Sequence, residues 1–200
     1  LSEEGSQRVP QTRAYWVVDP LDGTTNFATG IPVWAISVAR FVDGRPSEVF
    51  LDVPALGQRF VALRGRGVMR NEQALTTATR QHVNSACVSL CSRSIRVLQR
   101  KPNQPFPGKI RLFGVASLNL VSVAMGQTIA ALEATPKIWD LAAAWLVLDE
   151  LGCPIRWLDI DPAELSPGQD LSQTSFPMLA AGSWSELARF LPWGEALLQP

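Results

Sequence analysis

The sequence predicts a mixed α/β fold, with an antiparallel sheet in its first half and a second sheet with flanking helices in its latter half. Three observations carry this. Residues 15–63 hold short, alternating apolar runs separated by turn-forming residues, the pattern of a strand meander. Beyond residue 109, strand-like runs alternate with longer apolar stretches at helical spacing. Between them, residues 101–108 carry Pro102, Pro105 and Pro107 and form the boundary between halves 1–100 and 109–200. The 200 residues suffice for one domain, 1–200, with a substantial core.

Taken in order, residues 1–14 are polar and read as a loop. Trp16-Val17-Val18 is a buried strand that Asp19 closes. Residues 33–40, 47–53 and 58–63 are further strands, with Asp43-Gly44 as a hairpin turn. Gly65-Arg66-Gly67 and Asn71-Glu72 mark the next turns. A strand at 84–90 and a helix at 92–100 complete the first half. In the second, a strand at 109–113 leads to a helix at 117–126 that buries the face of Ala116, Leu120, Val123 and Ala124. A strand at 128–133 follows. Asp140 opens a helix that buries Leu141, Ala144, Trp145, Leu148 and Leu151 and stops at Gly152. Strands at 153–158 and 177–181 flank a loop at 159–175. Ser183 and Glu186 form a capping box before a last helix, 187–191.

The bulk numbers exclude several function classes. Lys plus Arg and Asp plus Glu are 18 each, so nothing favours a nucleic-acid surface. No apolar run approaches the roughly 20 residues of a membrane span, and no basic-then-apolar signal segment opens the chain. Cys87, Cys91 and Cys153 make no even disulfide set, which points to a reducing cytoplasm. Cys87, Cys91 and His82 could form a zinc site, but buried thiols are commoner.

The chemistry concentrates in residues 15–27, Tyr-Trp-Val-Val-Asp-Pro-Leu-Asp-Gly-Thr-Thr-Asn-Phe. Pro20 forces Asp19 towards an extended conformation and turns the chain. Asp19 and Asp22 can then point at one place. Gly23 admits a close backbone approach, and the Thr24 and Thr25 amides open a short helix, which is an anion site. Two carboxylates beside an anion site call for a cation between them, and a divalent metal bridging protein and phosphate meets that need.

The string Asp19-Pro20-Leu21-Asp22-Gly23-Thr24-Thr25 resembles the first signature of the inositol monophosphatase family of Mg²⁺-dependent, lithium-sensitive sugar phosphatases. Trp139-Asp140-Leu141-Ala142-Ala143 at a helix start resembles its second. The resemblance implies a layered αβαβα sandwich with the site between the halves, and two or three Mg²⁺ ions. Oxygen donors without His or Cys suit Mg²⁺ better than Zn²⁺. By resemblance the metal ligands are Glu3, Asp19, the Leu21 carbonyl, Asp22 and Asp140. Asp22, Gly23 and Thr24 bind phosphate, and Glu3 with Thr24 activates water. Gly114, Val115, Ala116, Glu133 and Asp140 contact the sugar. Where the family commonly has Gly two residues after this Glu, the chain has Thr135 and then Pro136, so the pocket wall differs, and Lys137 adds a positive charge there.

The activity implied is hydrolysis of inositol monophosphate or a similar small phosphate ester, by a cytoplasmic homodimer that millimolar lithium inhibits. Family relatives with the same metal core act on histidinol phosphate, fructose bisphosphate or 3′-phosphonucleotides, and the core motifs do not separate these. The family also carries an N-terminal helical segment before the position of Glu3. A chain without it is expected to be either a fragment or a shortened member. The rival expectation is a catalytically silent metal-binding or oligomerisation protein.

Overall fold

The computed structural model describes residues 1–77 and 86–199. The first half forms a six-stranded antiparallel sheet in simple chain order. Its strands are β1 (Ala14–Asp22), β2 (Ala35–Val42), β3 (Arg45–Val53), β4 (Gln58–Leu63), β5 (Gly67–Arg70) and β6 (Gln73–Leu75). Asp43 and Gly44 both take positive φ, 53° and 76°, as a two-residue hairpin turn requires. The last two strands were not predicted: they have four and three residues, too few to show alternation.

Asp19 does not close β1. The strand continues through Pro20, with Asp19 opposite Ser37 and Asp22 opposite Ala35. Three steps along β1 thus match two along β2, a bulge where Pro20 offers no ladder N–H.

The second sheet has five strands in the order β10-β11-β9-β7-β8. These are β7 (Cys87–Leu90), β8 (Lys109–Arg111), β9 (Ala130–Glu133), β10 (Ile155–Trp157) and β11 (Met178–Ala181). β7 runs parallel to β8 and β9, while β11 runs antiparallel to β9 and β10. The chain therefore changes sheet between Leu75 and Cys87, before the proline-rich loop. Residues 84 and 85 of the predicted strand, and His82, lie outside the described residues. The predicted helix at 92–100 is a 3-10 turn, Ser92–Ile95, followed by α2 (Arg96–Arg100).

A short helix, α1 (Thr24–Ala28), follows the first sheet strand. Two longer helices, α3 (Ala116–Ala124) and α4 (Ile138–Glu150), fill the layer between the sheets. α4 lies on β1 to β5, and α3 on β7, β9 and β11. Sequence reasoning gave each one buried face. In fact every residue from Ser117 to Ala124 is buried, as is Leu141 to Leu148. A helix between two sheets has no solvent side, which is why both read as apolar all round.

The final helix, α5 (Trp184–Glu195), covers the far face of the second sheet and extends beyond the predicted 187–191. Ser183 Oγ accepts from the Glu186 amide at 3.2 Å, so the predicted cap is present. Alternation in β9 and β11 assigns the layers. Ala131, Met178 and Ala180 join the α3–α4 core, whereas Ala130, Leu132, Leu179 and Ala181 pack with Leu187, Phe190 and Trp193 of α5. The described residues thus give four of the five implied layers: sheet, helix, sheet, helix.

The other face of the first sheet is different. Val18, Val38, Phe50, Val61 and Met69 are successive cross-strand partners from β1 to β5. Trp16, Val61, Leu63 and Met69 on this face are exposed. Beside the apolar row, Arg40 pairs with Glu48 at 2.8 Å and Arg59 with Asp52 at 3.4 Å.

Candidate active site

The bulge in β1 sets the site. Asp19 and Asp22 are both buried, at 1% and 7% exposure. Asp19 Oδ1 accepts from the Leu21 amide at 2.9 Å, and Thr24 Oγ1 donates to the Leu21 carbonyl at 3.1 Å. Asp22 reaches across to the first turn of α3, accepting from the Ser117 amide at 2.8 Å and the Ala116 amide at 3.3 Å. Those amides are unpaired donors at a helix start, and the carboxylate satisfies them.

Two glycines let the loops meet. Gly23 has φ +93°, and a Cβ there would lie 2.7 Å from Val115 Cγ2. Gly114 has φ +74°, and a Cβ there would lie 2.9 Å from Asn26 Oδ1. Asn26 fastens the arrangement, its Nδ2 donating to the Val33 and Phe113 carbonyls at 2.8 Å each. Sequence reasoning missed Asn26. A polar residue inside a five-residue helix, next to the signature, was the available signal.

Asp140 is not the residue that opens α4. It is the third residue of the helix, and its Oδ2 accepts from the Lys137 amide at 2.8 Å. It lies near Asp19, and each alters the other's affinity for a proton. Glu3 is exposed, yet its charge reaches Asp19, Asp22 and Asp140. The reason is local: Ser2 bridges Val18, and the Val18 amide donates to the Leu1 carbonyl at 3.0 Å, so the N-terminal strand of chain runs beside β1.

Burial first, and then the charge of Asp22, push Asp19 up to about 7 and Asp140 to about 9. Burial also raises Asp22, against the pull of the amides at Ser117 and Ala116. Burial and neighbouring Glu4 raise Glu3. Among the described residues, no basic side chain is among the leading influences on any of the four. Such a set ionises together only if positive charge enters from outside. Among the described residues, no three His, Cys, Asp or Glu side chains converge on one point that would hold an ion. The donors that remain are carboxylate pairs and the Leu21 carbonyl. That suits Mg²⁺, which binds through one or two carboxylates and keeps several waters.

A cavity of about 200 Å³ adjoins these groups. Asp22, Gly114, Val115, Ala116, Glu133 and Asp140 line it, together with Cys91, Ser92, Asn119, Thr135 and Pro136. The structure thus brings the predicted sugar-side residues to one cavity. Glu133 is buried rather than a surface acid. Burial, followed by the neighbouring Cys91 sulfur, pushes it well above the ordinary carboxylate range, while Asn119 Nδ2, donating at 2.6 Å, opposes this. Asn119 was missed, with a lone Asn in the apolar Leu118–Val121 stretch as its only sign, and Cys91, read only as a possible zinc ligand, lines the cavity instead. Lys137 does not add its charge to the cavity, because its Nζ donates to the Ser172 carbonyl at 2.8 Å. Cys91 contacts Ser94 Oγ at 2.9 Å and Cys87 is buried, so the zinc alternative gains nothing among the described residues. A larger cavity, about 860 Å³, lies on the open sheet face around Phe50, Val61 and Met69, away from the acid cluster.

The sequence matches the inositol monophosphatase family over residues 1–187. The chain belongs to that family. One relative, the Nus factor SuhB of Xylella fastidiosa, is 35% identical over 76% of this chain and 58% of its own length. The histidinol-phosphatase of Mycobacterium tuberculosis is 34% identical over 80% of this chain and 65% of its own length. The chain thus spans about three-fifths of the length of these curated relatives. A solved inositol monophosphatase/NADP phosphatase, crystallised with Mg²⁺ and phosphate, shares the fold over the whole chain and 73% of its own, with a TM-score of 0.75 at 24% identity. No described helix of this inositol monophosphatase family member is long and apolar enough to cross a membrane.

Proposed function

We propose that this chain is a Mg²⁺-dependent phosphomonoesterase acting on inositol monophosphate or a similar small polyol phosphate. The observation that carries the reading is that buried Asp19 and Asp22 and half-buried Asp140 act on one another's charge beside the cavity at residues 114–116, with no basic side chain among the leading influences on them within the described residues. The reading takes residues 1–200 as one domain, working as a cytoplasmic homodimer. Glu3, Asp19, the Leu21 carbonyl, Asp22 and Asp140 would hold two or three Mg²⁺ ions. Bound there, Mg²⁺ supplies positive charge for the phosphate and acidifies a water.

The chain's own groups do the rest. The Gly23 and Thr24 amides donate to phosphate oxygens. Thr24 Oγ1 spends its proton on the Leu21 carbonyl, which leaves its lone pairs to accept from the attacking water. Glu3, with its raised affinity for a proton, takes the other. A new P–O bond to that oxygen forms as the P–O bond to the polyol breaks, and the departing alkoxide takes a proton from solvent. Glu133 and the loop Gly114–Ala116 bind the polyol hydroxyls, and the buried position of Glu133 suits it to donate as well as accept.

The test is phosphate release with Mg²⁺ from inositol 1-phosphate, histidinol phosphate, fructose 1,6-bisphosphate and a 3′-phosphonucleotide, with Asp140→Asn beside the parent chain. Release abolished in the variant, and suppressed by millimolar lithium, is the expected result. Silence across the panel overturns the reading. A second reading, a metal-binding assembly protein without turnover, is favoured by one fact: a relative at 35% identity is named a Nus factor. Its mark would be Mg²⁺ binding with no phosphate release.

A further inference from the structure

We infer that Arg93 recognises a second anionic group on the substrate, remote from the scissile ester, so that a polyol bisphosphate is preferred to the monophosphate. This rests on the phosphomonoesterase reading above. The residues lining the cavity include three acids and no Lys or Arg. Lys137, the cation expected at its wall, is turned to the Ser172 carbonyl. The basic side chain that does touch the lining is Arg93. It is exposed, on the turn Ser92–Ile95, and its Nη1 donates to Thr135 Oγ1 at 3.4 Å. Thr135 and Ser92, the residue before Arg93, both line the cavity.

That one long bond leaves most of a five-donor guanidinium unused. Among the described residues no carboxylate pairs with Arg93, whereas Arg8, Arg13, Arg40, Arg59 and Arg189 each have one. A guanidinium with unused donors next to the cavity lining suits a phosphate, which it can bind bidentately. Size agrees. A cavity of about 200 Å³ holds one small ring, so a second phosphate on that ring must project to the mouth. The Thr135 hydroxyl gives Arg93 its support on that side of the cavity.

The experiment compares inositol 1-phosphate with inositol 1,4-bisphosphate in Mg²⁺, using the parent chain, Arg93→Ala and Arg93→Lys. Turnover is followed by phosphate release, and binding by calorimetry. Arg93→Ala should raise KM and Kd for the bisphosphate about tenfold or more, the size of a lost charge-assisted contact, with the monophosphate changed less than about twofold. Arg93→Lys should recover part of the loss, since it keeps the charge but not the fork. Equal effects on the two ligands, or none on the bisphosphate, overturn the inference. So does failure of the parent chain to bind the bisphosphate. Arg93-dependent binding without turnover of either ligand would sink the phosphatase reading, and the substrate preference with it, while Arg93's recognition of the second anionic group stands. Matching thermal melts show that the variants fold.

Discussion

Asn26 Nδ2 donates to the Phe113 carbonyl across 87 residues of chain, at 2.8 Å. The same nitrogen holds the Val33 carbonyl at 2.8 Å. One amide group therefore ties the short helix after the Asp19–Asp22 bulge to the loop that lines the cavity. Asn26→Ala leaves both carbonyls without that partner and should cost about 2–3 kcal/mol in urea denaturation. Activity should fall further than stability explains, because residues 114–116 lose their position. Parent-like kcat/KM in the folded variant would show that the tie does not serve the site.

The acid cluster makes stability depend on pH. Asp19 at about 7 and Asp140 at about 9 lie above their unfolded value of 3.8. Between the unfolded and folded values the folded state holds more protons, so stability falls as pH rises. In the metal-free protein the contribution is fully present below about pH 4 and is lost as pH climbs through 7 and 9. Each extra proton adds a slope of about 1.4 kcal/mol per pH unit. Thermal melts in a chelator from pH 5 to 9 should show a falling midpoint, and excess Mg²⁺ should flatten the fall. Curves that run parallel with and without Mg²⁺ would count against a metal among these acids.

Binding Mg²⁺ should expel protons, because the acids must ionise to act as ligands. Calorimetry near pH 7.5 in two buffers of different ionisation enthalpy counts them. Asp140→Asn removes the acid raised to about 9, so the count should drop by close to one. An unchanged count would place the released proton elsewhere.

Gly114→Ala puts a Cβ 2.9 Å from Asn26 Oδ1 at φ +74°. Strain and steric conflict together should cost about 2 kcal/mol or more, measured by chemical denaturation. Because Gly114 lines the cavity, KM for the polyol ester should rise as well. A variant as stable as the parent would mean the loop moves freely away from Asn26.

Much of this was legible where the determinants are local. Asp19, Asp22 and Gly23 are read from one string because Pro20 and Gly23 dictate the backbone around them. Asp140 is read from the residues beside it, though its position as third residue of α4 was not, since Lys137 takes the capping position without a capping side chain. What escaped acts through space. Asn26, Asn119 and Arg93 matter for what lies 14 to 87 residues away in sequence, at Glu133, Thr135 and Phe113. Burial around the whole circumference of α3 and α4 likewise depends on a second sheet that periodicity within one helix does not reveal.

The row Val18, Val38, Phe50, Val61 and Met69 crosses five strands spaced about 4.8 Å apart, so it is a seam of roughly 19 Å. Water against such a seam carries a penalty that grows with warming near room temperature, because the cost of apolar hydration there is almost entirely entropic. The chain should therefore cloud on warming well below its unfolding midpoint and clear again on cooling. Its solubility on warming should therefore follow this flank of the first sheet, whose seam starts at Val18 beside Asp19.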